Sequence, residues 1–286
     1  MNAAPSINRE QADLWNGHAG HAWVDTQASI DQMFKPIETL LVEAIPAGCA
    51  LRVLDVGCGT GGTTLAAARR LGAQGRCTGV DISGPMLAAA RARATRDTAP
   101  ADFVLADAQT HAFEPASVDL ILSRFGVMFF DAPGRAFANL RRAATDAAEL
   151  RIVAWRSAAD NPFMTSAERV AAPLLPDLPA REPGAPGQFA FADPRRIASI
   201  LEEGGWFDID IRPIDVDCTL PEPALTGYLS RLGPVGLRLR DVDASARARV
   251  IDTMRAAFEP YVDGEVVRFV AACWMVRARA SAASRA

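Results

Sequence analysis

The chain is poor in the residues that announce a metal, a disulfide framework or a nucleic-acid partner. Its five cysteines, Cys49, Cys58, Cys77, Cys218 and Cys273, are odd in number and scattered. No pair has C-x-x-C spacing, so neither a zinc site nor a set of disulfides is indicated, and they read as small buried apolar residues. Only three histidines are present, His18, His21 and His111. They make no H-E-x-x-H pattern, so no protein metal site is expected, although three-residue spacing puts His18 and His21 on one helix face. The net charge is −4, and no basic run interleaved with aromatics appears, which argues against a phosphate-backbone partner. The opening "MNAAPSINREQADLW" lacks the basic-then-apolar order of a secretory signal. The most apolar late segment, "VVRFVAACWMV", is too short to span a bilayer and carries Arg268. A cytoplasmic protein without integral membrane association is expected, as monomer or homodimer.

What is present is enough for a sizeable core. Of 286 residues, half are hydrophobic and 22% charged, which suits one large globular domain or a domain with a cap. Strands and helices alternate from residue 52 to about 156, as in a parallel α/β sheet. Strands are predicted at "RVLDV" (52–56), "RCTGVD" (76–81), "DFVLAD" (102–107), "VDLILS" (118–123) and "ELRIVAW" (149–155). Between them, helices are predicted at 63–72, closed by Gly72, at 84–95, opened by Pro85, and at 133–144.

After Trp155 the texture changes. Residues 157–192 carry Pro162, Pro173, Pro176, Pro179, Pro183 and Pro186, which interrupt any long helix. The α/β pattern returns with a helix at 193–206, capped by Asp193 and stopped at Gly204-Gly205. An alternating strand run (207–220), a helical stretch (222–260, clearest at 245–258) and a long last strand (265–280) follow. The expected division is therefore an amino-terminal helical segment (1–50) folding over the site and an α/β core (51–156). A proline-rich cap (157–192) comes next, then the rest of the core (193–280) with its helical insertion, and a frayed tail (281–286). Both insertions follow strands, and open α/β sheets bind ligands beyond the carboxyl ends of their strands. The insertions are placed to act as a lid, or as surface excursions without a role.

The loop "DVGCGTGG" (55–62) decides the ligand class. Gly57, Gly59 and Gly62 spell the dinucleotide fingerprint G-x-G-x-x-G. A pyrophosphate wants backbone N–H groups and no nearby anion, yet Asp55 stands two residues before Gly57. If it points at the ligand, a carboxylate about 5 Å from a phosphate costs about 3 kcal/mol at an effective dielectric near 20. A cofactor carrying an ammonium and a sulfonium gains from the same carboxylate. S-adenosylmethionine is therefore favoured over NAD. Asp81, ending the second strand, is placed to bind both ribose hydroxyls, and Asp107, ending the third, to accept from the adenine amino group. Ile82 and Met86 offer apolar surface to the ring.

At these residues the chain resembles the class I S-adenosylmethionine-dependent methyltransferases, in particular the ubiquinone/menaquinone-biosynthesis-type group acting on small molecules. "VLDVGCGTGG", "GVDIS", "ADAQ" and "VDLILSRFGVMFF" carry the resemblance over residues 50–156, and "GEVVRFVAACWMVRARA" extends it. Residues 157–260 match nothing assignable. The resemblance implies a Rossmann-like, doubly wound, seven-stranded α/β sheet whose last strand is antiparallel. It implies that Asp55, Gly57, Gly59 and Gly61 hold the methionine part and Asp81 the ribose. Ile82, Asp107 and Ala108 would flank adenine, with Ser123 lining the cofactor. One departure is "ATDAAEL" (144–150), where the family has a Pro-Gly-Gly-like turn before the fifth strand.

Methyl transfer from a sulfonium is an in-line displacement with a neutral leaving group, so alignment and exclusion of water dominate. A general base is needed only for a hydroxyl, protonated amine or weakly acidic carbon. His18 and His21 in "LWNGHAGHAWV" are the candidates, with His111 behind them. Phe125, Met128, Phe129 and Phe130 follow the fourth strand, and Phe163, Met164, Phe189 and Phe191 sit in the proline-rich insertion. They are either lid core or the wall for an apolar or aromatic methyl acceptor. Arg124 is either the partner of an acidic acceptor or a structural ion-pair residue. Two other readings are an S-adenosylmethionine-binding protein without methyl transfer, and an NAD-dependent dehydrogenase.

Overall fold

In the computed structural model, which describes residues 8–182 and 184–282, four short helices come first. They are α1 (Arg9–Asn16), α2 (His18–Asp25), α3 (Gln27–Met33) and α4 (Lys35–Val42). The alternating segment follows as β1 (Arg52–Val56), α5 (Gly62–Leu71), β2 (Arg76–Asp81), α6 (Gly84–Arg96), β3 (Ala101–Leu105), β4 (Val118–Arg124), α7 (Pro133–Ala143) and β5 (Ala144–Trp155). Beyond it lie α8 (Pro162–Ala171), α9 (Pro194–Glu203), β6 (Phe207–Pro221), α10 (Leu225–Arg231), α11 (Gly233–Arg238), α12 (Ala244–Phe258), β7 (Val262–Asp263) and β8 (Val266–Arg279). Pro183, the first seven residues and the last four of the expected tail lie outside the described residues. Ser281, at the start of that tail, donates its hydroxyl to Asp146 O at 2.7 Å.

The sheet order is β3-β2-β1-β4-β5-β8-β6, with the two-residue β7 against β8. From β3 to β5 all pairings are parallel, and β8 runs antiparallel between β5 and β6. This is the doubly wound, seven-stranded arrangement with an antiparallel last strand that the motifs imply. Helices cover both faces, so the central strands are apolar runs rather than alternating ones. Ile121, Leu122, Leu150, Ile152 and Val153 have no measurable exposure. The order reverses between β1 and β4, which makes the ends of these two strands the switch point where a crevice opens.

The helix boundaries follow their caps. Ser83 caps α6 by accepting from Met86 N, and Asp193 caps α9 by accepting from Arg195 N. The departure at 144–150 removes the expected turn altogether. Helix α7 stops at Ala143 and the chain passes directly into β5, Ala144 pairing with Val118 before a register shift. With no glycine or proline to break the extended backbone there, the strand is lengthened at its start.

Where β5 ends, a side chain takes over the pairing to β8. Asn161 is 1% exposed. Its amide donates to Ala272 O at 2.9 Å and to Ser157 O at 3.1 Å, and its Oδ1 accepts from Ala272 N at 2.9 Å. One buried amide therefore ties the proline-rich segment to β8. On that tie α8 packs against α12, and Phe163 stacks on Phe269 of β8 at 3.9 Å between ring centroids.

Candidate active site

Close approach at the switch point needs glycine twice. Gly57, at the tip of β1, has φ +68, and a Cβ there would stand 2.6 Å from Gly126 Cα. Gly126, just past β4, would push its own Cβ to 2.6 Å from Val56 O. Only two glycines let these strand ends touch, and the loop between them forms one wall of a cavity of about 450 Å³. Next to Gly126, Phe125 holds a left-handed backbone at φ +66, a conformation that costs a bulky residue about 1–3 kcal/mol. In that position it stacks on Trp155 at 4.6 Å, with Phe34 edge-on to both rings.

Of the predicted cofactor residues, Gly57, Gly59, Asp81, Ile82, Met86, Asp107 and Ala108 line this cavity. Asp81 Oδ2 accepts from Gly59 N at 2.7 Å and Oδ1 from Ser83 N at 2.8 Å. The carboxylate thus joins the glycine loop to the start of α6 while facing the cavity. Burial raises its pKa, against the pull of those N–H groups. Asp107 Oδ1 accepts from Gln109 N at 2.9 Å.

Three predicted contacts lie off the wall. Asp55 is 1% exposed and turned beneath the loop, where Thr64 Oγ1 donates to its Oδ2 at 2.7 Å. Burial pushes its carboxyl up to about 6, opposed by the Thr64 bond and the charge of Arg124. The expectation that it points at the ligand is corrected: the short Asp side chain is captured by the first turn of α5. Gly61 (φ +84) is a packing glycine, since a Cβ there would come within 3.1 Å of Ala90 and Phe103. Ser123 is fully buried. It donates to Val56 O at 2.8 Å and accepts from Val127 N at 3.3 Å, fastening β4 to β1 under the wall.

The histidine assignments are corrected too. His18 and His21 share α2, but both are exposed and neither lines the cavity. The helix turns its other face, Ala19, Ala22 and Trp23, toward the cavity. His111 is edge-on to Phe113 at 4.7 Å and also lies off the wall.

Arg124, Phe125, Met128, Phe129 and Phe163, the predicted acceptor residues, all line the cavity. Arg124 is engaged by Asp31 at 3.9 Å, and Asp31 also takes Arg93 at 2.6 Å. That carboxylate, from α3, binds the amino-terminal helices to the strand ends. Asn16 donates to Ile82 O at 2.9 Å and accepts from Gly84 N at 2.8 Å, and Ser83 Oγ donates to Trp15 O at 2.6 Å. Trp15, Asp31, Phe34, Trp155, Glu168, Tyr228 and Phe258 are cavity residues that sequence reasoning did not assign. Trp155 ends β5 and was findable by the strand-end rule. Asp31 and Tyr228 carry no local signal.

The donor set fits a cationic nucleoside. Asp81 and Asp107 face the cavity around the glycine loop, while Asp31 and Arg124 on the same wall offset each other, with Arg93 also held by Asp31. A diphosphate would meet the carboxylates of Asp81 and Asp107 there. Among the described residues no cluster of His, Cys, Asp and Glu suits a metal ion, and no helix is long and apolar enough to cross a membrane.

Comparison with known proteins agrees with this geometry. A family described as "Methyltransferase domain" matches residues 53–146. Over 105 residues the chain is 36% identical to the aklanonic acid methyltransferase DauC of Streptomyces sp. (strain C5), covering 36% of this chain and 48% of that protein. It thus spans about half the length of that relative. It is 25% identical over 217 residues to the nocamycin O-methyltransferase of Saccharothrix syringae, covering 73% and 77% of the two chains. The fold is similar, with a TM-score of 0.59 at 16% identity, to a Haemonchus contortus phosphoethanolamine N-methyltransferase 2, covering 98% of this chain and 61% of that one. Residues 53–146 thus match a methyltransferase-domain family, and the sheet order is the one implied by the resemblance of the motifs to the class I S-adenosylmethionine-dependent methyltransferases.

Proposed function

We propose that the protein transfers the methyl group of S-adenosylmethionine to a small, largely apolar or aromatic acceptor. One observation carries the reading: a single cavity has a carboxylate-and-glycine wall at the strand ends and an aromatic wall from the two insertions. On the first wall, Asp81 would hold the ribose hydroxyls and Ile82, Met86, Asp107 and Ala108 the adenine, with Gly57 and Gly59 beside the methionine part. When bound, the cofactor supplies an electrophilic methyl group on a sulfonium. The residues of this chain bind it, orient the acceptor and keep water out. Asp55 contributes from beneath the loop, through its charge rather than by contact.

The second wall includes Phe129, Phe163, Met164, Tyr228, Leu229, Val235 and Phe258. Its composition suits a ring system, and the names of the two relatives above both refer to small molecules. The segment 1–50 and the insertions at 157–192 and 222–260 act in this reading as the cover that closes the cavity. The test is a pair of titrations with S-adenosylmethionine and NAD, and then transfer of a labelled methyl group in a cell extract read by mass spectrometry. Micromolar NAD binding without S-adenosylmethionine binding would refute the cofactor assignment. Cofactor binding without any labelled product would refute methyl transfer.

A further inference from the structure

The acceptor wall carries few polar groups; of the charged ones, Arg231 is exposed, and Glu168 and Arg181 are paired with each other. Glu168 and Arg181 bind each other through two guanidinium nitrogens, Nε donating at 2.8 Å. Arg181 also donates to Gln188 Oε1 at 3.2 Å and lies over the Phe189 ring at 4.7 Å. Tyr228, on α10, differs. Its ring packs beside Phe163 at 5.9 Å between centroids. Among the described residues, the one hydrogen bond of its hydroxyl is to Met164 Sδ at 3.5 Å.

A thioether is a weak acceptor, and a buried tyrosine hydroxyl ordinarily finds a better one. Tyr228 is half-buried as a whole, but its hydroxyl end is the desolvated part, and it lines the cavity. Burial and the nearby charge of Glu168 raise its pKa, so the group remains a neutral donor at physiological pH. A phenol in this state does not serve as a base. What it offers is one O–H directed by an apolar nest.

We infer that Tyr228 is a specificity residue, whose hydroxyl donates a hydrogen bond to a carbonyl or ionised oxygen on the ring system of the methyl acceptor. The inference rests on the proposed methyl-transfer reading and narrows its substrate class to oxygenated rings. Met164 Sδ positions the hydroxyl and yields to the stronger oxygen acceptor. Because Met164 Sδ remains available to the hydroxyl, an analogue lacking the oxygen loses one hydrogen bond and does not leave a group wholly unpaired.

The experiment uses two probes that differ in one oxygen, 9-oxofluorene-2-carboxylate and fluorene-2-carboxylate. Each is titrated calorimetrically into the full chain, with and without S-adenosylhomocysteine. The wild-type protein is expected to prefer the ketone by about tenfold, the range of one buried hydrogen bond. Tyr228→Phe is expected to reduce that preference below about threefold by weakening ketone binding alone. Its melting temperature should equal or exceed the wild-type value, because the lost hydroxyl has no strong partner in the protein. A preference that survives in Tyr228→Phe overturns the inference. So does wild-type indifference to the ketone, or failure of both probes to bind. Failure of S-adenosylhomocysteine to bind would instead strike the cofactor reading, and the probe preference would still report on Tyr228.

Discussion

Replacing Asp55 by asparagine separates its structural cost from its electrostatic role. The carboxyl is 1% exposed and its pKa is lifted from 3.8 to about 6, chiefly by burial. About two pH units at roughly 1.36 kcal/mol each mean that holding the group ionised at neutral pH costs the fold about 3 kcal/mol. The sign follows from linkage. A carboxyl with a raised folded pKa binds its proton more tightly when folded. Its contribution is therefore fully present below the unfolded value near 4 and is lost as pH rises through about 6. The asparagine amide cannot titrate, so this loss disappears in Asp55→Asn. The substitution also introduces a buried amide N–H without a known acceptor, a penalty of about 1–3 kcal/mol that does not vary with pH. The absolute stability change at pH 7.5 is thus small and its sign is set by that penalty. The pH dependence is not affected by it. Between pH 4.5 and 7.5, the stability of Asp55→Asn relative to wild type should rise by about 2 kcal/mol. Urea denaturation at the two pH values, read by tryptophan fluorescence, measures it. A difference that stays within about 0.5 kcal/mol, the error of such fits, would show that Asp55 titrates normally and is not desolvated under the loop.

Three further outcomes are expected. Asp81→Asn should weaken S-adenosylmethionine binding at least about tenfold, because it removes the charge from an acceptor of two hydroxyls. It should also keep more loop order than Asp81→Ala, which orphans the N–H groups of Gly59 and Ser83; an unchanged dissociation constant by calorimetry would remove Asp81 from the site. Asn161→Ala should cost about 3 kcal/mol in urea denaturation, since it leaves the buried N–H of Ala272 without a partner, and a loss below about 1 kcal/mol would contradict its role in tying the proline-rich segment to β8. His18→Ala combined with His21→Ala should leave labelled methyl transfer within about twofold of wild type; a loss of about tenfold or more would return the base to α2.

Much of the site was legible because strand ends in a parallel sheet are fixed by topology. Asp81 ends β2 and Asp107 follows the end of β3, which stops at Leu105 and not at the expected 107, and both lie on the crevice side of the sheet. Gly57 and Gly59 were visible for the same reason. Gly126, the partner pressed against Gly57, was not, since its role comes from a contact between residues far apart in sequence. His18 and His21 do share one helix, but which face turns inward depends on Ala19, Ala22 and Trp23 packing toward the cavity. The sequence around Arg124 is compatible with an acidic ligand or an ion pair, and Asp31 of a distant helix supplies the ion pair.

Local patterning therefore settled the α/β class, most helix limits and the chemical character of the loop, because periodicity, caps and glycine spacing act over a few residues. The tertiary structure alone decided where Asp55 points, what closes over the crevice, and that an isolated tyrosine hydroxyl from residue 228 reaches the same cavity as a glycine from residue 57. These depend on long-range packing, in which the winning partner of a polar group is set by burial and distance rather than by its neighbours in the chain.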